Sequence, residues 1–236
     1  MRTSRTIPSF LMAYGNDNLT LQNFDKYVEA DAFLEVTGIT LDDFKTLRDG
    51  GYLLNKETGE TEYFEGKVFD EVVFNDSVKE FLNKKKELAN YFYLDDDIFS
   101  YIPPQKTNQI FTPREVVNKM LDMLEAENPG CFDDPTKTFA DLYMKSGLFI
   151  AEIVKRLYNS DGLCEAYPDG NERIRHILNH QVYGVAPTRV IYLIATNYIL
   201  GFDETLRAET KNFKQRDTAE DAKCGTLQQA VDEIFA

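Results

Sequence analysis

The residues best suited to chemistry stand together in KTFADLYMKSGLFIAEIVKRLY, residues 137–158. A short apolar run reaches the carboxylate of Asp141, Ser146 and Gly147 follow, and helical apolar spacing begins at Leu148. An acid at a strand end accepts hydrogen bonds from an amine or a hydroxyl. A glycine ahead of a helix lets the backbone approach a ligand closely, and the free N–H groups of the first turn favour an anion. Two other strand ends carry comparable residues: YGVAP at 183–187, and Asp217 followed by Thr218. Each has a plainer local role. Asp141 serves as a cap for the next helix, Ser146 and Gly147 as a tight turn, and Asp217 with Thr218 as an N-cap pair.

The remaining candidates are poorer. His176 and His180 lie four apart on a predicted helix, a spacing metal ligands use, but HILNH lacks the glutamate of the zinc-protease motif. No metal site is expected. Cys131, Cys164 and Cys224 are odd in number and scattered, which fits reduced thiols in a cytoplasmic protein rather than a disulfide framework or zinc site. The run Lys84, Lys85, Lys86 reads as a solvated helix face. The net charge of −14 argues against strong nucleic-acid binding by this chain alone, since phosphate neutralisation needs clustered Lys and Arg. Residues 1–104 hold 11 basic and 20 acidic residues, so that part is the more acidic. Any DNA role therefore needs basic surface from elsewhere. No stretch of about 18 apolar residues suggests a membrane span, and the start, broken by Pro8, Ser9 and Gly15, does not read as a signal peptide.

The elements that must position these residues fall into two textures. Residues 1–105 are mainly helical with a short hairpin. TLQNFDKYVEADAFLEVTG is expected to be a helix ending at Gly38, and TLDDFKTLRDGG a helix capped by Thr40. GYLLNKETGETEYFEGKVF alternates around a Thr-Gly turn and predicts two strands. NDSVKEFLNKKKELANYFY predicts a helix capped by Asp76 or Ser77, and the prolines at 103 and 104 mark a linker. From Thr112 the pattern becomes helix, then three strand–helix units. TPREVVNKMLDMLEAEN has Thr112 as predicted N-cap, Pro113 at the first position and Glu115 completing the box. KTFADLY, QVYGVA and KNFKQRD are the strands; GLFIAEIVKRLYNS, PTRVIYLIATNYILGF and TLQQAVDEIF are helices, with NERIRHILNH a further one. Tyr192 and Tyr198 are read as core. Such alternation predicts an α/β fold with a doubly wound parallel sheet, in which ligands bind beyond the carboxyl ends of the strands.

The blocks IFTPREVVNKML, FADLYMKSGLFIAEIVKRL and HILNHQVYGVAPTRVIYLIATNYILG, in that order, resemble the N-terminal, cofactor-binding half of a class I S-adenosylmethionine-dependent DNA adenine methyltransferase of restriction–modification systems. Large single-chain enzymes that also carry a helicase are included in that likeness. The resemblance covers about residues 106–236, and implies a partial Rossmann-like sheet that binds S-adenosyl-L-methionine. RTIPSFLMAYG, upstream, bears a lesser likeness to the segment preceding the methyltransferase in those long enzymes. The resemblance implies that Phe111, Thr112 and Pro113 pack over the methionine end of the cofactor. The family's Asp-Pro-x-x-Gly-Ser-Gly pattern lands on Asp141, Leu142, Tyr143, Met144, Lys145, Ser146 and Gly147, 29 residues after Thr112. It also implies that Asp217 contacts the adenine amine.

Departures qualify these expectations. Leu142 replaces the proline and Lys145 the first glycine; Lys145 either clashes with the methionine moiety or pairs with its carboxylate. Ala186 stands where the family usually has an acid for the ribose hydroxyls, a loss of about 1.5–3 kcal/mol, roughly ten- to a hundredfold in affinity. Amino-methyltransferases hold a flipped base with an Asn/Asp-Pro-Pro-aromatic loop. The one Pro-Pro pair here is in YIPPQ, far upstream. The chain is therefore expected to be a fragment or truncated form, without catalytic residues of its own. Its partners would be DNA through the complete protein, the remainder of a restriction–modification polypeptide, and another copy along an open sheet edge. The competing expectation is a scaffold module whose degraded loop takes no cofactor. A third, another Rossmann-like nucleotide binder, lacks the glycine fingerprint.

Overall fold

The computed structural model describes residues 3–14, 16–54, 58–88, 112–201 and 203–236. The first part contains α1 (Thr3–Tyr14), α2 (Phe24–Tyr27), α3 (Ala30–Thr37), α4 (Leu41–Asp49), the strands β1 (Gly51–Leu54) and β2 (Thr61–Phe64), and α5 (Glu71–Leu88). The second contains α6 (Arg114–Glu127), β3 (Phe139–Asp141), α7 (Leu148–Asn159), α8 (Asp161–Ala166), and α9 (Gly170–His176), which runs into a π turn at Ile177–Gln181. After these come β4 (Val182–Ala186), α10 (Arg189–Ile199), α11 (Glu204–Glu209), β5 (Phe213–Gln215), α12 (Ala219–Cys224) and α13 (Leu227–Phe235). The expected division near residue 105 falls outside the described residues.

Local signals set many of these boundaries. Thr40 and Asp43 form a reciprocal capping box at the start of α4, and Gly38 closes α3 in the left-handed conformation. β1 and β2 pair antiparallel with Tyr52 opposite Tyr63. Elsewhere tertiary bonds override the pattern. The single helix expected over TLQNFDKYVEADAFLEVTG is broken into α2 and α3, because Val28 is extended and the Glu29 N–H donates to the Tyr14 hydroxyl at 3.2 Å. α5 begins well before Ser77. The Asp70 carboxylate accepts from the N–H groups of Val72 and Val73, and so caps the helix six residues upstream of Asp76. Thr112 is not the cap of α6: Pro113 holds that position in extended conformation, with no side-chain cap, and its carbonyl accepts from Val116 and Val117. α11 and α12 were not expected; six residues each are too few to display an apolar period.

The larger sheet has the order β3-β4-β5, all parallel, with Asp141 opposite Gly184 and Ala186 opposite Gln215. The fold is therefore α/β with a three-stranded parallel sheet. Among the described strands β3 pairs with β4 alone, and Ala140 on it is exposed. α7 packs on β3 and β4, and α10 packs on β4, β5 and α7. Phe235 of α13 sets its ring edge-on to Tyr183 at 5.3 Å.

The buried residues form one continuous cluster. Its first-part centre is aromatic: Phe24 lies within 6.0 Å, ring centroid to centroid, of Phe10, Phe33, Phe44 and Phe74. α1 then lies along α10, where the fully buried Asn197 amide donates to the Met12 and Ala13 carbonyls at 2.7 and 2.8 Å. Arg189 pairs with Glu29 at 3.0 Å and the Thr188 hydroxyl donates to Glu35 at 2.7 Å. Tyr198 is core and Tyr192 packs against it. Among the described residues no helix is long and apolar enough to cross a membrane, and no group of three or more His, Cys, Asp and Glu is placed to hold a metal.

Candidate functional site

A cavity of about 750 Å³ opens beside the carboxyl end of β3, a volume that suits a small organic ligand. Three elements meet there: the first turns of α6, the β3–α7 loop, and the start of α7. Thr112, Asp141, Leu142, Lys145, Ser146 and Gly147 all line it. Residues 29 to 35 apart in sequence are thus brought to one site by the packing of α6 on α7.

Ion pairs hold that packing. Arg114 Nε lies 2.9 Å from Glu152 Oε1, with Glu152 itself buried, and Lys155 Nζ stands 3.7 Å from the same oxygen. Arg156 reaches back from α7 to Asp122, to Glu125 at 3.4 Å, and to the Asn118 carbonyl at 3.2 Å. Together these fix α6, and Thr112 ahead of it, over the loop.

The loop is pinned at several points. The Thr218 hydroxyl donates to the Leu142 carbonyl at 2.7 Å, and the Met144 N–H to the Val185 carbonyl at 2.7 Å. Met144 is fully buried, with its sulfur over Gly184; a Cβ there would come within 2.9 Å of it. Ser146 is also buried, and its hydroxyl accepts from the Leu148 N–H at 3.3 Å. Gly147, at φ 78°, turns the chain into α7 and presses on α10.

Asp141 is only partly exposed, and its carboxylate accepts from the Tyr143 N–H at 3.2 Å. It does not cap α7. Burial pushes its carboxyl above the ordinary carboxylate range, with the Tyr143 bond a smaller opposing effect. The raised value means that folding disfavours the ionised form. Stability from this group is whole below about pH 4, the ordinary aspartate value, and is lost as pH rises through the raised one. Asp141→Asn should therefore gain on the native protein in thermal melts as pH climbs from 3.5 to 7. A difference in melting temperature that stays flat over that range would contradict the assignment.

Not every expected site residue joins the cavity. Pro113 does not line it. Ala186 is fully buried in β4, its carbonyl accepting from the Arg216 N–H at 2.9 Å. Asp217 is exposed and accepts from the Ala219 N–H at 3.0 Å, the local capping role. Phe111 lies outside the described residues. Conversely, Met120, Leu124 and Phe149 line the cavity without having been singled out. For Met120 and Leu124 the available signal was the density of apolar residues in VVNKMLDML, residues 116–124 of α6.

The carboxyl end of a parallel sheet in an α/β fold, here with an acid, a small-residue loop and an apolar-walled cavity, is a place where small organic ligands commonly bind. Over 152 residues, 60% of its length, the chain is 28% identical to a Mycoplasma pneumoniae protein described as an uncharacterized adenine-specific methylase. The match covers 36% of that protein, so the chain spans about a third of the length of the curated relative it matches. No protein-family profile matches the chain, and no solved structure matches it.

Proposed function

We propose that this chain is the S-adenosyl-L-methionine-binding portion of a DNA adenine methyltransferase of the restriction–modification type. The observation that carries the reading is the convergence of Thr112, Asp141, Lys145 and Ser146 on one cavity at the end of β3, in a chain similar to an adenine-specific methylase. The cavity is large enough for the cofactor and combines apolar walls with an acid and a base. Asp141 would accept hydrogen bonds from the amino group of the methionine moiety, and Thr112 with the loop would close over that end. The bound cofactor supplies an electrophilic methyl group on a sulfonium. The base-holding Asn/Asp-Pro-Pro-aromatic loop and the basic DNA-contacting surface would come from elsewhere in the complete protein. The edge of β3 that pairs with no other described strand offers a place for a further strand.

Ala186 and Asp217 favour a second reading. With one buried and the other capping its own helix, neither offers the cavity an acid for the ribose or the adenine. On that basis the domain would be a scaffold that joins neighbouring parts and takes no cofactor. Calorimetric titration with S-adenosylmethionine separates the two. The cofactor reading expects saturable heat, lost in Asp141→Ala; absence of heat at millimolar ligand supports the scaffold.

A further inference from the structure

The cavity contains two side chains of opposite charge that do not neutralise each other. Asp141 and Lys145 both line it, and among the described residues no ion pair joins them. The Asp141 carboxylate takes a single N–H, from Tyr143. Among the described residues Lys145 makes neither a hydrogen bond nor an ion pair. Lys145 is also held in place by its neighbours. Met144 and Ser146 on either side are buried, and the Met144 N–H is bonded to β4, so the stem of Lys145 leaves a fixed backbone.

An unpaired carboxylate and an unpaired ammonium at one apolar-walled cavity call for a ligand with both charges. A lone anion would leave Asp141 opposed to it, and a lone cation would leave Lys145 so. An α-amino acid head, ammonium and carboxylate on one carbon, answers both. We infer that Lys145 is a specificity-determining residue that holds the carboxylate of an amino-acid-bearing nucleoside ligand, with Asp141 opposite it on the ammonium. The inference rests on the cofactor reading above and narrows it: the site selects for the amino-acid head and not only for the nucleoside.

The experiment uses the whole chain and two probes, S-adenosylhomocysteine and 5′-methylthioadenosine. They share the nucleoside and thioether and differ by the amino-acid head. Calorimetry should give the headed probe at least tenfold tighter binding, in line with a charge-assisted hydrogen bond. Lys145→Met should weaken that probe about tenfold and leave methylthioadenosine unchanged; Lys145→Arg should retain most of the difference. Circular dichroism melts of each variant check that the fold is intact. Equal loss for both probes, or no change for either, overturns the role of Lys145 while leaving the cofactor reading in place. No binding of either probe to the native chain overturns both.

Discussion

Gly147→Ala is expected to lower the stability of the protein by about 2–4 kcal/mol, the joint result of a forced left-handed backbone and an overfilled contact. At φ 78° any side chain carries the left-handed penalty, roughly 1–2 kcal/mol. A Cβ at this position would also lie 3.1 Å from both Ala195 Cβ and Ile199 Cδ1, on α10, which itself packs against β4, β5 and α7. Those atoms belong to the core and have little freedom to withdraw. Urea unfolding should show a lower midpoint with an unchanged slope. Gly130 is the internal control: its φ is 77°, but nothing stands within 4 Å of its Cβ position. Gly130→Ala should cost only the backbone share. Equal losses at the two glycines would remove the packing argument. A larger loss at Gly147 would explain the glycine without any ligand, so its presence is not evidence for a cofactor.

Asn197→Ala should cost about 3 kcal/mol and be read out first in α1. The amide is fully buried and donates to two consecutive carbonyls, Met12 and Ala13, at the end of that helix. Removing it leaves two buried acceptors without these donors, each worth about 1–3 kcal/mol, and opens a small void as well. In a protein of this size the change corresponds to a fall of roughly 6–12 °C in melting temperature. Asn197→Asp, which replaces the donor by an acceptor facing two carbonyls, should be worse. Hydrogen exchange should place the loss of protection in α1 before α7 or β4. A uniform loss would mean that α1 and α10 unfold as one unit with the sheet.

The two predictions turn on contacts of very different range, and the same distinction governs what could be read before the fold was known. Helix α4 was legible to the residue, because Thr40, Asp43 and Gly50 act within one turn of their own backbone. The three parallel strands and the helices α7, α10 and α13 were legible because apolar period and helix termini are local properties. The break between α2 and α3 was not, since its cause is the hydroxyl of Tyr14, fifteen residues upstream. Nor was the true start of α5, which Asp70 caps upstream of the expected Asp76 or Ser77. α11 and α12 were too short to carry a pattern.

The candidate site divides in the same way. Sequence alone determined that an acid, a basic residue, a serine and a glycine would follow one another between a strand and a helix, and residues 148–236 contain no Pro-Pro pair. Spacing along seven residues is enough for that. Only the tertiary structure decided which of those groups share a cavity. It joined Thr112 to Asp141 through ion pairs between α6 and α7, turned Asp217 onto its own helix, buried Ala186 in the sheet, and left Lys145 displayed between two buried neighbours. Side-chain direction at a strand end depends on what packs above and beside it. Those neighbours are distant in the chain, and local spacing does not encode them.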